Sequence, residues 1–377
     1  MDDQFDIYKV YEQNLNFLFG AGASFGFLPT LALKIKDPNG VSYTFETLAK
    51  ELDKSNKENL YTLLFMHYYN ECIYTGLPRL PVVPLPPHRV AVIEEYKRFQ
   101  ETLLTILEKQ NKNSKKANIY TTNYDSCFEL SSDDLLSSQS INCAINDGSE
   151  GFQKRKFHTK NFNNRIIQKG IFDNHDEYLP QLNILHIHGS VYWKENKQNI
   201  EIDYGQTDYD IRFNEDQKKL LDEFKLIVND NTKSLSDLTD FDDFESLNDN
   251  LYADEFWNEY NSIPIVNPTK WKFHETVFEE AYYQILRHLS FELERPNSVL
   301  ITFGFSFSDE HILHLVQRSL SNPTLTVYIS CFNKNEKLEM MEKFKSNKNV
   351  KFISIDDEEL TFKRFNDRVF TLKKDSI

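Results

Sequence analysis

Several short apolar runs of the sequence are followed directly by polar residues and glycines, where a strand would end and a ligand site would begin. Residues 20–24 (GAGAS) follow the run NFLF, and three of the chain's 11 glycines fall within residues 20–26. A strand that ends in glycines lets backbone N–H groups approach a pyrophosphate closely, and a following helix adds its positive N-terminal end. The segment therefore predicts a nucleotide-phosphate site, although backbone packing alone explains such glycines equally well.

A second polar segment, TTNYD at residues 121–125, stands at the end of the next apolar run. Thr122, Asn123 and Asp125 bring a hydroxyl, a carboxamide and a carboxylate to the edge where open α/β sheets bind their ligands. These groups can hold a polar ligand. Asn and Asp are also common helix caps, and for this segment taken by itself capping is the better explanation of Asn123 and Asp125.

Two histidines mark a third strand end, in the segment HIHGS at residues 186–190. Because they are two positions apart, His186 and His188 are expected on one face of the strand. His188 is placed at the exit, and Gly189 is expected to leave space for a ligand beside it. Histidine is the usual general base near neutral pH, so His188 is the candidate base, with a structural role as the alternative.

A fourth polar segment, GFSFSDEH at residues 304–311, follows the run VLITF and marks the exit from another predicted strand. Ser308 or Asp309 is predicted to cap the helix that starts there. Gly304 and Ser306 would face a phosphate or a ribose, unless the segment is a plain strand–helix junction. A weaker candidate is Asn333, which follows the run TLTVYI and is positioned to bind a ribose hydroxyl.

These exits need a sheet that brings them together, and the apolar runs supply one. They are β-branched with little alternation, as expected of strands buried on both faces of a parallel sheet. With helical patterns between them, they predict a single α/β domain over residues 1–377, a doubly wound, mostly parallel Rossmann-like sheet. The predicted strands are 16–19, 118–121, 183–187, 299–303, 324–329 and 350–353, and the predicted helices are 46–69, 90–109, 274–294, 309–320 and 334–345.

Three segments interrupt this pattern. Residues 76–88 contain five prolines and are predicted to form an extended arm or lid, neither helix nor central strand. Residues 131–180 and 195–262 are predicted insertions. Residues 201–260 hold 18 acidic and 5 basic residues, a net of −13 in a chain whose formal charge is −15. This acidic block is either a protein interface or a solvated loop.

Composition excludes several classes of protein. The acidic balance argues against direct binding to nucleic acid, because electrostatic attraction dominates that affinity. No apolar run is long enough for a membrane helix, and the N-terminus is neither a secretory signal nor a transit peptide, so a cytoplasmic protein is expected. Cys72, Cys127, Cys143 and Cys331 form no C-x-x-C pair and no zinc-type spacing. Reduced thiols and no metal site are therefore expected.

The order of the motifs GAGAS, TTNYD, HG, GFSFSD and a late Asn resembles that of the sirtuin superfamily. It is most similar to the compact bacterial sirtuin-like branch, whose members hydrolyse NAD in antiviral defence. The segment IPIVNPTKWK at residues 263–272 is also similar to the family's Pro-containing segment that ends in lysine. The resemblance covers roughly residues 12–30, 115–130, 182–193, 262–272 and 298–335.

The resemblance implies a role for each matched residue. Asn123 would sit beside the nicotinamide ribose, Asp125 would hold the carboxamide, and His188 would be the general base. Thr122 would belong to the same NAD pocket. The NAD phosphates would lie against Gly20, Ala21, Gly22 and Ser24, and the adenosine half against Gly304, Ser306 and Asn333.

The implied activity is NAD hydrolysis to nicotinamide and ADP-ribose, which would deplete NAD in abortive infection by phage. The chain lacks the paired C-x-x-C zinc module of deacylating sirtuins, and it reads LPTLALK where they carry an arginine. A protein deacylase is therefore a lesser alternative, beside a regulatory subunit that binds NAD or ADP-ribose without turnover. The family also implies a homo-oligomer and a regulatory partner such as a HerA-type ring ATPase.

Overall fold

A computed structural model describes residues 5–30, 32–74, 84–110, 115–138, 141–169, 176–196, 199–205, 211–242, 251–266, 277–345 and 347–372. The strands are β1 Asn14–Phe19, β2 Ala32–Lys36, β3 Ser42–Thr44, β4 Lys116–Thr121, β5 Ala144–Asn146, β6 Ser149–Glu150, β7 Arg155–Phe157, β8 Ile167–Lys169, β9 Asp176–Tyr178, β10 Gln181–His186, β11 Trp193–Asn196, β12 Asn199–Ile202, β13 Ser298–Phe303, β14 Thr326–Ser330 and β15 Val350–Ile353. The helices are α1 Ile7–Val10, α2 Phe45–Lys54, α3 Glu58–Tyr68, α4 Pro87–Lys109, α5 Cys127–Ser138, α6 Glu215–Val228, α7 Leu235–Asp242, α8 Ala253–Tyr260, α9 Val277–Glu294, α10 Glu310–Ser319, α11 Lys334–Phe344 and α12 Phe362–Arg364.

The central sheet has seven strands in the order β15-β14-β13-β1-β4-β10-β5, and all of its pairings are parallel. The chain leaves β1 towards β4 on one side and later returns to β13 on the other. The strand order therefore reverses at β1, and this reversal opens a crevice at the carboxyl ends of the strands. The predicted doubly wound α/β fold is confirmed.

All six predicted strands belong to this sheet, but the sequence gives no sign of the seventh. That strand, β5, has only three residues, and it lies in the segment that was predicted to be an insertion. It pairs with β10 at the edge of the sheet. A three-residue edge strand contains too few side chains to show an apolar pattern, and this is why it is missed.

The predicted helix over residues 46–69 is wrong in one respect, because the chain breaks between α2 and α3. Asn56 has a φ of +53°, and this left-handed residue ends the first helix.

The prediction of a Pro-rich arm over residues 76–88 is wrong at its C-terminal end, since α4 begins at Pro87. Proline suits the first position of a helix, where the missing N–H would have no partner. Residues 76–83 of the arm lie outside the described residues.

Side chains of the sheet strands alternate between two cores. Phe17 and Phe19 of β1 pack with α4 and α5 on one face, whereas Leu18 packs with α9 and α10 on the other. A third core joins α2 and α3 to α6–α8. Phe224 and Phe256 of the acidic block are buried in it, so the described part of that block is a packed helical layer. No helix in the described ranges is both long and apolar enough to cross a membrane.

A ladder of three buried asparagines crosses the middle of the sheet. Asn16, Asn118 and Asn183 are paired in register on β1, β4 and β10. Asn118 Nδ2 donates to Asn16 Oδ1, and Asn183 Nδ2 donates to Asn118 Oδ1, both at 2.9 Å. Each amide satisfies its neighbour inside an otherwise apolar layer, where an unpaired polar group would be costly.

Replacing the central member should therefore cost more than its own hydrogen bonds. We expect Asn118→Leu to lower the free energy of unfolding by about 2–4 kcal/mol, because Asn16 and Asn183 each lose a buried partner. Chemical denaturation measures the change. The surface variant Asn335→Leu is the control and should change stability little. An Asn118→Leu protein as stable as the control would contradict a cooperative ladder.

Candidate functional site

A cavity of about 470 Å³ opens at the crevice beside β1. This volume is within the range of ~300–1,000 Å³ that small-molecule sites occupy. One wall consists of the segments that follow β1, β4, β10 and β13, and the facing wall comes from α2 and α3. The lining includes nine of the predicted site residues, namely Ala21, Gly22, Ser24, Thr122, Asn123, Asp125, His188, Gly304 and Ser306.

The turns after β1 and β13 touch each other through backbone alone. Gly22 N–H donates to Gly304 O at 3.0 Å, and Gly20 N–H donates to Phe303 O at 3.1 Å. A Cβ on Gly20 would lie 2.5 Å from Gly304 O. Close packing is thus one reason for these glycines. The chain after β1 forms only the short 3₁₀ turn Ala21–Ser24, so the predicted helix N-terminus at this exit is wrong.

Ser24 is the centre of a buried hydrogen-bond network beneath the cavity. Its hydroxyl donates to Asp125 Oδ2 at 2.7 Å and lies 2.8 Å from Tyr96 Oη. It also accepts a hydrogen bond from Asn123 Nδ2 at 2.9 Å. A hydroxyl has one hydrogen and two lone pairs, so these three partners use it fully. The Ser24 side chain therefore supports its neighbours instead of contacting a phosphate.

The Asn123 side chain is fixed by two hydrogen bonds from its Nδ2 atom. Its Nδ2 donates to Ser24 and to Gly20 O, the second at 3.2 Å. Because a carbonyl can only accept, these contacts fix which end of the amide is nitrogen. Oδ1 has no hydrogen-bond partner among the described residues, and Asn123 lines the cavity. Asn123 does not cap α5. Asp125 partly does, since its Oδ1 accepts from Cys127 N–H at 3.0 Å.

His186 is a supporting residue and does not share a face with His188, contrary to the prediction. β10 ends at His186, and His188 lies in the turn beyond it. The buried ring of His186 contacts Glu129 Oε1 at 2.7 Å and the Asn123 carbonyl at 3.0 Å. Burial by itself lowers the pKa of His186, but the charge and hydrogen bond of Glu129 outweigh burial, and the net pKa is raised.

His188 lines the cavity, and its Nε2 lies 2.9 Å from Asp309 Oδ2. The next residue, Gly189, has a φ of +78°, and a Cβ there would lie 2.2 Å from Pro264 O. The expected space for a ligand beside Gly189 is therefore filled by backbone. Of the segment 263–272, residues 263–266 pass beside this turn, where Val266 N–H donates to His188 O at 2.8 Å. Residues 267–272 lie outside the described ones.

Two carboxylates that sequence reasoning did not assign to the site face His188. Asp309 caps α10, as predicted. Burial by itself raises the pKa of Asp309, but the hydrogen bond and charge of His188 and the hydrogen bonds from helix N–H groups outweigh it, and the net pKa is lowered. Glu46 is in the first turn of α2. Burial raises the pKa of Glu46 and Asp309 adds to this, against the charges of Lys50 and His188. Nothing in the sequence distinguishes Glu46 from any other exposed-looking helix residue.

Charge in the cavity is mainly negative. Glu46, Asp125, Asp309 and Glu310 line it, and among the described lining residues Lys50 is the one lysine or arginine. Cys72 also lines the cavity, but burial raises the pKa of its thiol to about 12. A thiol with that pKa stays protonated and is a poor nucleophile. The cavity therefore favours a ligand with positive charge, or a reaction in which positive charge develops.

Ser306 and Asn333, which were both predicted to bind the adenosine half of NAD, differ in their positions. Ser306 lines the cavity, and its hydroxyl lies 2.8 Å from Ser308 Oγ. Asn333 is not among the lining residues. It caps α11 through hydrogen bonds from two backbone N–H groups, and it follows β14, two strands away from β1. In the described part of the chain, no three His, Cys, Asp or Glu side chains converge as metal ligands.

Comparison with protein-family models and with curated proteins gives no match to this chain. A functional assignment must therefore come from the geometry of the site.

A substitution at Gly304 tests whether the close contact between the two turns adds to the cost of backbone strain at a positive φ. Gly304 has a φ of +63°, and its Cβ would lie 2.5 Å from Ala23 N. We expect Gly304→Ala to destabilise the protein by about 2–4 kcal/mol, from strain plus overpacking. Gly40→Ala is the matched control, because Gly40 also has a positive φ but nothing lies within 4 Å of its Cβ. It should cost only about 1 kcal/mol, and equal costs in thermal denaturation would contradict the close contact.

The raised pKa of His186 predicts a pH-dependent contribution to stability. A histidine whose folded-state pKa exceeds its unfolded value of ~6.5 stabilises the fold fully below that pH. The contribution is lost as pH rises through the folded-state pKa. The stability difference between wild type and His186→Gln should therefore be largest at acidic pH and shrink as pH rises. Urea titrations at several pH values measure it, and a difference that grows with pH would contradict the ion pair with Glu129.

Proposed function

We propose that this protein is an NAD⁺ glycohydrolase that cleaves the nicotinamide–ribose bond and releases nicotinamide and ADP-ribose. The proposal depends mainly on one observation. Asn123, whose Oδ1 has no hydrogen-bond partner among the described residues, and His188 line the same cavity, at the switch point of a doubly wound sheet. A site for a dinucleotide is expected at such a switch point.

Asn123 supplies a fixed acceptor for a reacting hydroxyl group. Both hydrogens of its amide are used by Gly20 O and Ser24 Oγ, so only Oδ1 is available to a ligand. Oδ1 can accept from a water molecule or from a ribose hydroxyl, and it has no charge to lose with pH. In the proposed reaction it orients the water beside the anomeric carbon of the ribose.

The acidic lining suits the charge change in this reaction. The nicotinamide ring of NAD⁺ is cationic, and as the bond breaks the positive charge moves to the ribose. The carboxylates of Glu46, Asp125 and Asp309 line the cavity in which that charge would develop. Fixed negative groups in a partly dry site stabilise such a charge more strongly than water does.

The step balances without a metal ion. The water oxygen bonds to the anomeric carbon while the carbon–nitrogen bond breaks, and its electron pair stays on the nicotinamide nitrogen. The water proton passes to His188, which acts as the general base. The Asp125 carboxylate would accept from the nicotinamide carboxamide. The pyrophosphate would lie at the turns after β1 and β13, where Gly22 N–H is already used by Gly304 O, so other N–H groups and Lys50 would hold it.

The biological setting is proposed from the sequence resemblance. NAD depletion in the cytoplasm would stop phage replication together with the growth of the host, and such an activity needs a trigger. We propose a homo-oligomer regulated by a protein partner such as a HerA-type ring ATPase. The exposed carboxylates of α6 and α8 offer a charged surface for this purpose.

An assay of NAD consumption tests the proposal. Nicotinamide and ADP-ribose are quantified for wild type, Asn123→Ala and His188→Ala, alone and with a HerA-type ring ATPase as the proposed partner. We expect each variant to lose at least ~100-fold in rate, the usual contribution of a positioned acid–base or water-binding group. The exposed residues Asn335 and His314 provide matched controls, and Asn335→Ala and His314→Ala should keep wild-type rates.

Calorimetric titration with NAD⁺ separates hydrolysis from binding alone. If wild type binds NAD⁺ but releases no nicotinamide under either condition, the protein is a binding subunit and the hydrolase proposal is wrong. Loss of activity in the two surface controls would also count against the assigned roles.

A further inference from the structure

Asp309 divides its two carboxylate oxygens between a helix and a histidine. Oδ1 accepts from His311 N–H at 2.9 Å and from Ile312 N–H at 3.1 Å, both in the first turn of α10. Oδ2 lies 2.9 Å from His188 Nε2. The hydrogen bond joins the segments after β13 and β10, two strands that β1 and β4 separate in the sheet. It therefore spans the crevice in which the cavity lies.

The loop that holds Asp309 has little freedom to move. Phe307, two residues earlier, is buried and has a φ of +52°, a conformation that a bulky side chain adopts only when its surroundings impose it. Its ring packs against Phe344 at a centroid distance of 4.9 Å. Lys343 Nζ donates to Ser306 O at 2.8 Å and to Phe307 O at 3.3 Å. The carboxylate is thus presented to His188 by a fixed loop.

The contact determines which nitrogen of His188 carries hydrogen. An ionised carboxylate only accepts hydrogen bonds, so Nε2 must be the donor. In the neutral ring, the lone pair is then on Nδ1, and Nδ1 has no hydrogen-bond partner among the described residues. A base needs an available lone pair on a ring whose orientation is fixed.

We propose that Asp309 is the positioning residue of His188, which fixes the ring with hydrogen on Nε2 and leaves Nδ1 as the base. The catalytic consequence rests on the proposed NAD hydrolysis, whereas the assignment of the hydrogen does not. Asp309 does not touch the reacting atoms. It acts through His188, in the way that a buried carboxylate orients the histidine of a hydrolytic triad.

Two substitutions of Asp309 separate this role from helix capping. In Asp309→Asn, the helix N–H groups still require an acceptor, so the amide oxygen stays on α10 and the NH₂ group faces His188. That group donates, and it forces the lone pair onto Nε2 and the hydrogen onto Nδ1. In Asp309→Ser, the hydroxyl still caps α10, but nothing reaches His188, and its ring remains free to present either nitrogen.

The variant that is chemically more similar to wild type is therefore expected to have the lower rate of NAD hydrolysis. Asp309→Asn, the closer mimic, should lose about 100-fold or more in NAD hydrolysis, because general-base catalysis contributes ~10²–10⁴-fold. Asp309→Ser should lose only about tenfold, since the correct form of His188 stays accessible. Equal stability of the two variants in chemical denaturation shows that the cap is kept. Equal rates for the two variants would overturn the proposal.

The hydrogen position can also be measured without any enzyme activity. Two-bond ¹H–¹⁵N NMR spectra of the full chain, labelled with ¹⁵N-histidine, distinguish a protonated from an unprotonated ring nitrogen. His188→Gln identifies the His188 signals. We expect hydrogen on Nε2 in wild type at neutral pH and on Nδ1 in Asp309→Asn. Hydrogen on Nδ1 in wild type, or no change in Asp309→Asn, would overturn the proposal.

The two experiments fail independently. A wild-type protein that shows the expected NMR signals but consumes no NAD, alone or with the ATPase, refutes the proposed hydrolysis and leaves the His188–Asp309 assignment in place. A protein that hydrolyses NAD but shows the wrong nitrogen protonated refutes the assignment and leaves the hydrolysis in place.

Discussion

The close backbone contact between the turns after β1 and β13 is the constraint on which the site depends. Gly20, Gly22 and Gly304 let the two turns meet with no side chain between them. The turn after β1 can then fold under the cavity and bury Ser24, while the turn after β13 can pass over the sheet edge towards His188. A methyl group at this contact would separate the turns and displace both sets of groups together. The glycines thus act first on geometry, and any contact with a phosphate depends on that geometry.

Asn123 and His188, the two central residues of the proposed site, are each held in place by neighbouring side chains. Ser24 orients the Asn123 side chain, and His186, paired with Glu129, holds the Asn123 carbonyl. Asp309 does the same for His188. Catalytic precision of this kind requires a supporting layer, because a side chain free to rotate spends most of its time in unproductive orientations. The supporting layer also explains why so many polar groups are buried beneath one cavity.

Sequence alone was sufficient for six of the seven strands of the sheet and for the polar segments that follow four of them. Buried parallel strands are continuous apolar runs, and the polar residue that ends each run is visible without a structure. Asn123, His188 and Gly304 were found in this way. The same reasoning could not reach Glu46, because its role comes from how α2 packs over the sheet and not from any local pattern. The prediction that Gly189 leaves space for a ligand was wrong for a related reason. Only the fold shows that the Pro264 carbonyl occupies the space beside Gly189. Asn333 had the right local pattern on a strand too far from β1.

The asparagine ladder has a consequence for the distant site. β1, β4 and β10 each end in a segment that contributes to the cavity, so the alignment of these strands sets the spacing between Asn123, His188 and the glycine turn. A slip of one residue along a strand moves its end by ~3.3 Å, whereas a displacement of about 1 Å is enough to impair catalysis. Apolar side chains tolerate such a slip poorly but do not forbid it, because one Val or Ile can take another's place. The hydrogen bonds from Asn118 to Asn16 and from Asn183 to Asn118 form in one alignment only, and a slip would leave these buried amides without those partners. The ladder therefore fixes the alignment of β1, β4 and β10, and with it the dimensions of the candidate site.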